Sequence, residues 1–134
     1  MGKKRVFISF RAEDKNKVNG LRLLAANDQF DIEFYDESVR TEINSTNAAY
    51  VKQKILEKIN RTSVTVCMVS ELTNTCAWVD WELEESYKKG NTVICMGLKD
   101  GPAKLIVPKP CRDRKAGWHA WNHEVLDRLI KEAP

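Results

Sequence analysis

Three short segments of this chain are apolar almost without interruption and rich in β-branched residues, and they constrain the fold more than any other feature. They lie at residues 5–10, 63–69 and 92–96. Strands that are apolar on both faces are typical of a parallel sheet covered by helices on each side. Residues 31–35 differ, because the first four alternate polar and apolar side chains, as in an edge strand. The sequence therefore predicts four strands, with the second at an edge of the sheet.

The segments between these strands carry apolar residues at helical spacing. The three faces are, in chain order, Val18, Leu21, Leu24 and Ala25; then Ala48, Val51, Ile55 and Ile59; then Val79, Leu83, Ser86 and Tyr87. Candidate N-caps precede the second helix at Ser45 and Thr46 and the third helix at residues 73–75. Gly90 follows two lysines and marks the end of the third helix.

The predicted order is strand–helix–strand–helix–strand–helix–strand, followed by a less regular tail. In this tail, residues 105–107 are a candidate fifth strand within an irregular stretch at residues 100–114, and a last helix is expected from about His119 to Glu132. Alternating strands and helices predict a doubly wound parallel α/β sheet with helices on both faces. With the second strand at an edge, the flavodoxin-like order 2-1-3-4-5 fits best. We expect residues 1–134 to form a single domain.

Charge and cysteine usage argue against several classes of function. The net charge is +3, from 22 basic and 19 acidic residues that are interleaved, so we expect no binding of nucleic acid. The four cysteines form no CxxC pair, which argues against a disulfide framework or a zinc site. No apolar run approaches the roughly 18 residues of a membrane span, and the N-terminus carries no secretory signal. We therefore expect a cytoplasmic protein that binds neither a membrane nor a metal.

Ligands of a doubly wound sheet bind at the carboxyl ends of its strands, near the first and third strands. The residues delivered to this edge are Phe10 and Arg11 after the first strand, Asp36 and Glu37 after the second, Ser70 and Glu71 after the third, and Trp78 to Glu82 in the third helix. Residues 10–14 contain no glycine, which excludes a dinucleotide fingerprint and a P-loop, and they do not resemble a flavodoxin phosphate loop. A phospho-receiver is excluded as well, because Arg11 and Ser70 stand where acidic residues would be required.

The most informative segment is Trp78 to Glu82. These two residues are four positions apart, so they lie on one face of a helix. On the cleft side they would offer a substrate an apolar wall and an anionic tip, which suits a flat cationic ring attached to a sugar. The alternative is that Trp78 packs against a loop and Glu82 is merely solvated. The helix pattern alone favours that alternative.

Taken together, the segments resemble a TIR domain. Residues 5–11 match the opening strand, with Phe10 where Tyr is usual, and residues 34–36 match the close of the second strand, which a variable loop at 37–47 follows. Residues 55–70 match the second helix and the third strand, ending in Ser70. Residues 78–82 match the WxxxE signature, and residues 90–94 match the approach to the fourth strand. Five motifs in the right order make the resemblance specific over about residues 5–100. Within the family, the chain is most similar to bacterial TIR-like proteins, notably the sensor subunits of Thoeris antiphage systems.

The resemblance implies an enzyme that cleaves the nicotinamide–ribose bond of NAD and makes a cyclic ADP-ribose signal. It implies Glu82 as the catalytic residue. With NAD as the substrate, we expect Trp78 beside the reacting nucleotide, Phe10 stacked on a ring and Arg11 at phosphate. Asp36 either contacts a ribose hydroxyl or simply begins the loop after the second strand. NAD is then the substrate, and no cofactor is needed. The implied partners are further TIR surfaces through self-association and a separate effector protein reached through the nucleotide signal.

Two other functions stay open. Many TIR domains are adaptors that bind other TIR domains and catalyse nothing, and the fold does not decide between the two. A nucleoside-processing enzyme of similar architecture is the third reading, and it would be indifferent to NAD.

The remaining polar residues have ordinary explanations. His119 and His123 are spaced like a metal-binding pair on a helix, but without a third ligand we expect packing and exposure. Cys76 is expected to be unreactive. We also expect residues 112–115 to form a solvated turn, and Glu84 and Glu85 to face water.

Overall fold

The computed structural model describes residues 4–11, 14, 16, 18, 30–33, 45–46, 48–98 and 105–134. Its strands are β1 (Lys4–Ser9), β2 (Phe30–Glu33), β3 (Val64–Val69), β4 (Thr92–Gly97) and β5 (Trp118–His119). The helices whose bounds are described are α1 (Ala48–Asn60), α2 (Ala77–Lys89), α3 (Lys109–Asp113) and α4 (His123–Glu132). A 3-10 turn at Thr73–Thr75 precedes α2.

The described strands form one parallel sheet in the order β2-β1-β3-β4-β5. The flavodoxin-like α/β class predicted from the apolar strands is therefore confirmed, and β2 lies at an edge. In the register, Ser9 pairs with Cys67 of β3, which pairs in turn with Cys95 of β4. The last residue of β1 is thus next to the middle of β3.

The two faces of the sheet carry different residues, because successive side chains of a strand alternate between faces. One face holds Val6, Ile8, Val64, Val66, Met68, Ile94 and Met96, which pack with Leu126 and Ile130 of α4. The other face is covered by α1 next to Phe7 and by α2 and α3 next to Cys67 and Cys95. Ser9 lies on this second face by the alternation from Phe7.

Both helix patterns that fall wholly within the described residues are confirmed. The buried residues of α1 are the four predicted ones, and Val79, Leu83 and Ser86 are buried in α2. Gly90 ends α2 with a left-handed backbone, φ 93°, as its C-cap. The first predicted helix lies mostly outside the described residues, although Asn16 and Val18 are helical.

The N-cap predicted for α2 is wrong. Residues 73–75 form the 3-10 turn instead, and Cys76 occupies the cap position without a side-chain hydrogen bond. Thr73 is buried, and its Oγ1 accepts a 2.7 Å hydrogen bond from the Ser70 backbone N–H. The hydroxyl is therefore used to close the turn after β3 rather than to start the helix.

The candidate fifth strand at residues 105–107 is also wrong. Trp118 and His119 occupy that place and pair with Cys95 and Met96. Leu105 packs on the core beside Gly97, where a Cβ would come within 3.3 Å of it, whereas Ile106 is exposed. The apolar run therefore packs on the sheet without pairing with it.

The tail contains two further differences from the prediction. A short helix, α3, forms within the stretch expected to be irregular, with Pro110 in its first turn. The last helix begins at His123 rather than His119, and the Asn122 side chain caps it by accepting a 3.0 Å hydrogen bond from the Val125 N–H. Among the described residues, no helix is long and apolar enough to cross a membrane.

Residues 112–115 are exposed, as expected, and Arg114 lies in a turn, but its side chain also makes specific contacts. Its guanidinium donates to both carboxylate oxygens of Glu84, at 3.1 and 3.0 Å, and lies 4.2 Å from the centre of the Tyr87 ring. Glu84, which was expected only to face water, is thus an ion-pair partner. This contact joins the segment after α3 to the exposed side of α2.

Candidate functional site

A glutamate and a serine meet inside the molecule where α2 packs on the end of β1. Ser9 Oγ donates a 2.7 Å hydrogen bond to Glu82 Oε1, and both residues are 0% exposed. Ser9 is the last residue of β1, so the pair lies at the carboxyl edge of the sheet. Doubly wound sheets bind ligands at this edge, at the point where it passes between β1 and β3. The pair is therefore the centre of the candidate site.

The periodicity of α2 explains why Glu82 lies there. Trp78, Glu82 and Ser86 recur every four residues and are all buried, so they form one inward face of the helix. Val79 and Leu83 form the neighbouring face and pack in the cluster under β3 and β4. The prediction that Trp78 and Glu82 share a face is confirmed.

The environment of Glu82 differs from both sequence interpretations. It is neither an anionic tip on an open cleft nor a solvated glutamate, because none of its surface contacts solvent. A buried carboxylate needs hydrogen-bond donors, and the Ser9 hydroxyl is one. A substrate could reach this carboxylate only after the surrounding groups move.

Trp78 is a core residue in this structure. It is 7% exposed and packs with Phe7 and the buried face of α1. Its ring meets that of Trp81 edge to face, with centres 5.9 Å apart and planes at 84°. The role of Trp78 beside a nucleotide stays a prediction.

A second buried polar cluster lies at the ends of β1 and β3. Ser70 Oγ donates a 2.5 Å hydrogen bond to Asp14 Oδ2 and lies 3.1 Å from Thr73 Oγ1. Arg11 Nε lies 3.6 Å from the same Asp14 oxygen, and the Arg11 side chain is 23% exposed. Arg11, Asp14 and Ser70 thus meet at the edge where the sequence predicts ligand-binding residues, and Arg11 keeps part of its surface in solvent.

Phe10 lies on the opposite face of the sheet from Ser9 and Glu82. Phe10 is 1% exposed and packs in the core on the α4 side of the sheet. The stacking of its ring on a substrate stays a prediction. Asp36 lies outside the described residues.

Ser9, Asp14 and Thr73 also lie at this edge, and no sequence pattern had placed them there. For Ser9 a signal exists, because it is the one hydroxyl residue of the β1 segment and follows Phe7 by two positions onto the helix-covered face. A buried hydroxyl on an otherwise apolar strand requires a polar partner. That partner, Glu82, is distant in sequence and follows only from the packing of α2.

The thiols beside the site are held neutral. The hydrogen bond with Cys95 lowers the pKa of Cys67, but burial and the neighbouring groups Cys111, Glu82 and Asp80 outweigh it, so that pKa is raised. Cys67 is the β3 neighbour of Ser9 in the register. The Glu82 carboxylate is therefore flanked by an uncharged thiol rather than a second anion.

The described residues offer no metal site. His119 and His123 fall in different elements, β5 and the start of α4, so they do not share a helix face. Within the described ranges, no group of three or more His, Cys, Asp or Glu side chains could hold an ion.

Comparison with known proteins agrees with this architecture. The family model "Thoeris protein ThsB, TIR-like domain" matches residues 7–101. A curated protein of Bacillus cereus (strain MSX-D12) named "Putative cyclic ADP-D-ribose synthase ThsB1" is 32% identical over 116 residues, which are 80% of this chain and 60% of that protein. The chain therefore spans about three fifths of the length of this relative.

Two solved structures share the fold at low sequence identity. The TIR domain of the Toll-related receptor TRR-2 of Hydra magnipapillata has a TM-score of 0.64 and 18% identity, covering 95% of this chain and 98% of that one. A 2-deoxyribosyltransferase of Bacillus psychrosaccharolyticus has a TM-score of 0.60 and 16% identity, covering 92% and 90%. The fold is thus that of a TIR-type α/β domain. Because the family model covers more than half of the chain, the chain belongs to the TIR-like domain family of the Thoeris protein ThsB.

Proposed function

We propose that this chain cleaves the nicotinamide–ribose bond of NAD and forms a cyclic ADP-ribose signal in bacterial antiphage defence. The observation that carries the proposal is the WxxxE glutamate, Glu82, held by Ser9 at the carboxyl edge of the sheet. The proposal is supported by the 32% identical relative, whose name states cyclic ADP-D-ribose synthesis.

The chemistry needs little more than a well-placed carboxylate. Nicotinamide in NAD is a pyridinium, so it leaves as a neutral ring and needs no general acid. As the bond breaks, positive charge develops on the ribose, and an anionic group beside it stabilises that charge. We assign this role to Glu82.

The other site residues would bind the substrate. Arg11, whose side chain is partly exposed at the same edge, would meet the phosphates. Trp78 and Phe10 would contact the rings, and Asp36 a ribose hydroxyl. No cofactor takes part, since NAD is the substrate.

Burial of Glu82 favours cyclisation over hydrolysis. To form a cyclic product, an atom of the same nucleotide must capture the ribosyl centre before water does, which requires a closed site. Glu82 is 0% exposed, so bulk water has no direct access to the carboxylate in this structure. The site would open to admit NAD and close around it.

The remaining parts of the proposal concern the chain's surroundings. We propose that residues 1–134 act as a single TIR-like domain in the cytoplasm, that copies associate through TIR surfaces, and that the nucleotide product activates a separate effector protein.

A non-catalytic adaptor is the second candidate, and one observation favours it. A glutamate that is fully buried and hydrogen-bonded to the sheet can serve packing alone. An adaptor would bind other TIR domains without turning over NAD.

An incubation of concentrated protein with NAD, followed by chromatography with mass detection, separates these candidates. Free nicotinamide that appears with the wild type and not with Glu82→Gln would support the enzyme, and the mass of the second product distinguishes cyclic ADP-ribose from ADP-ribose. Glutamine keeps an acceptor for Ser9, so this variant should fold. No nicotinamide from the wild type, including in the presence of extract from infected cells, would favour the adaptor.

A further inference from the structure

We propose that Ser9 is a positioning residue for the reaction, because its hydroxyl holds Glu82 as an oriented carboxylate at the edge of the sheet. This inference rests on the proposed function, in which Glu82 stabilises charge on the ribose. Ser9 itself is a residue to which the sequence analysis assigned no role.

The geometry of the pair supports this role. Ser9 Oγ donates to Glu82 Oε1 at 2.7 Å, and the two residues are 73 positions apart in the chain. Both residues are 0% exposed, so water does not compete for this hydrogen bond. A donor to the ionised form stabilises that form, and in a buried place such bonds are the stronger ones.

The attachment of α2 to the sheet shows that this bond is local to the carboxylate. One turn further along the helix, Thr65 Oγ1 of β3 donates a 2.8 Å hydrogen bond to Ser86 Oγ. Ser86 Oγ donates in turn to the Glu82 backbone carbonyl, also at 2.8 Å. The helix is therefore fixed to β3 without Ser9, and the Ser9 bond adds the orientation of one side chain.

The surroundings of Glu82 make a hydrogen-bond donor necessary if the carboxylate is to be ionised. The buried residues of α1 are all apolar, which disfavours the charged form, and Cys67, the neighbour of Ser9 on β3, is a thiol with a raised pKa that adds no second anion. The hydroxyl of Ser9 is thus a polar group directed at the carboxylate from the β1 side. Removing it would leave the charge less stabilised and the rotamer less defined.

The test is steady-state kinetics of NAD cleavage by Ser9→Ala and Ser9→Thr, with Thr65→Val as the matched control. Ser9→Ala should lower kcat about 10- to 100-fold, the range expected for loss of a hydrogen bond to a charged group, with KM changed less than about twofold. Ser9→Thr keeps the hydroxyl and should recover most of kcat. Thr65→Val removes a buried bond between α2 and the sheet, together with the 3.1 Å hydrogen bond that Thr65 Oγ1 accepts from Asn91 Nδ2. Although it loses two buried hydrogen bonds, its kcat should match the wild type.

Several results would overturn the inference. They are a wild-type kcat in Ser9→Ala, an equal loss in Thr65→Val, no recovery in Ser9→Thr, or faster turnover in Ser9→Ala, which would mean that Ser9 restrains Glu82. Should Ser9→Ala fail to fold, Ser9→Cys, which is similar in shape and a weak donor, should show the same fall in kcat. A wild type that does not cleave NAD would instead overturn the proposed function, so the two failures are distinct.

Discussion

At the scale of single residues, the effect of a substitution at position 82 depends on whether the new side chain keeps a hydrogen-bond acceptor for Ser9. The Ser9 hydroxyl has its partner in Glu82 Oε1, and neither residue contacts solvent. Losing an acceptor in such a place leaves a donor unsatisfied, which costs more than the bond itself contributes. Substitutions at position 82 therefore affect folding as well as chemistry.

We expect Glu82→Ala to be less stable than Glu82→Gln by about 2 kcal/mol, because alanine leaves both a cavity and an unpaired hydroxyl. Chemical denaturation of the two variants measures the difference. Equal stabilities would contradict the burial of this side chain. For this reason the glutamine variant, rather than the alanine variant, is used to test activity.

The cysteines make a second prediction at this scale. Cys67, Cys95 and Cys111 are buried in one cluster, and their pKa values are raised. The hydrogen bond with Cys111 lowers the pKa of Cys95, but the hydrogen bond with Cys67 and burial outweigh it. The hydrogen bond with Cys95 and burial raise the pKa of Cys111, so the reactive thiolate is scarce in this cluster. Iodoacetamide at pH 8 should label at most Cys76 in the native protein and all four thiols after unfolding, as read by mass spectrometry.

The control for this labelling is Cys76→Ala, which should remove the native label altogether. Native labelling of two or more sites would show that the cluster under β3 and β4 opens more readily than the packing implies.

At the scale of elements, α2 is the piece that positions the site, and it is fixed at its end and along its exposed side. Gly90 ends it with φ 93°, a backbone conformation that a side chain adopts only under strain. Arg114 joins the segment after α3 to it through Glu84 and Tyr87. Each attachment makes a separate prediction.

Gly90→Ala should destabilise the protein by about 1–2 kcal/mol, because a Cβ at this φ is strained although the space around it is open. Gly117→Ala is the matched control, since its added Cβ would meet only His119 Nε2 at 3.7 Å and it lacks a positive φ. Thermal unfolding compares the two. An equal loss in both variants would argue against the left-handed cap.

The Arg114–Glu84 pair predicts a dependence of stability on pH. The hydrogen bond and charge of Arg114 lower the pKa of Glu84 below its ordinary value of 4.5 in the folded state. A carboxyl with a lowered folded pKa contributes stability above its unfolded pKa and loses it as the pH falls through the folded pKa. Glu84→Gln should therefore be slightly less stable than the wild type at pH 7, and the gap should close in acid.

Both partners of this pair are exposed, so its contribution is small. Glu85→Gln is the control, because Glu85 meets Lys88 through a single contact at 3.4 Å. A gap between Glu84→Gln and the wild type that persists in acid would show that the effect is not electrostatic.

At the scale of the whole molecule, the sequence predicted the features that depend on local periodicity. Continuous apolar strands predict a covered parallel sheet, and the buried faces of α1 and α2 follow from the spacing of Ile55 and Leu83 with their neighbours. The prediction was less accurate where an apolar run could either form a strand or pack on the sheet. Leu105 packs on Gly97 without joining the sheet, and Trp118 lies in the fifth strand instead.

The candidate site shows the same division. Helical spacing places Trp78 and Glu82 on one face, but it does not reveal that this face is turned inward or that Ser9 meets the carboxylate. Those facts depend on how α2 packs across β1, a long-range contact that no local pattern encodes. The same holds for Asp14, which reaches Ser70 from 56 positions away.

The most direct test of the account is the release of nicotinamide from NAD by the wild type beside Glu82→Gln, with both proteins shown to be folded by circular dichroism. We expect nicotinamide and a cyclic ADP-ribose product from the wild type, and at least about a hundredfold less from the variant, because loss of a group that stabilises transition-state charge costs about 10²–10³ in rate. Equal release by both proteins, or none by the wild type, would contradict it.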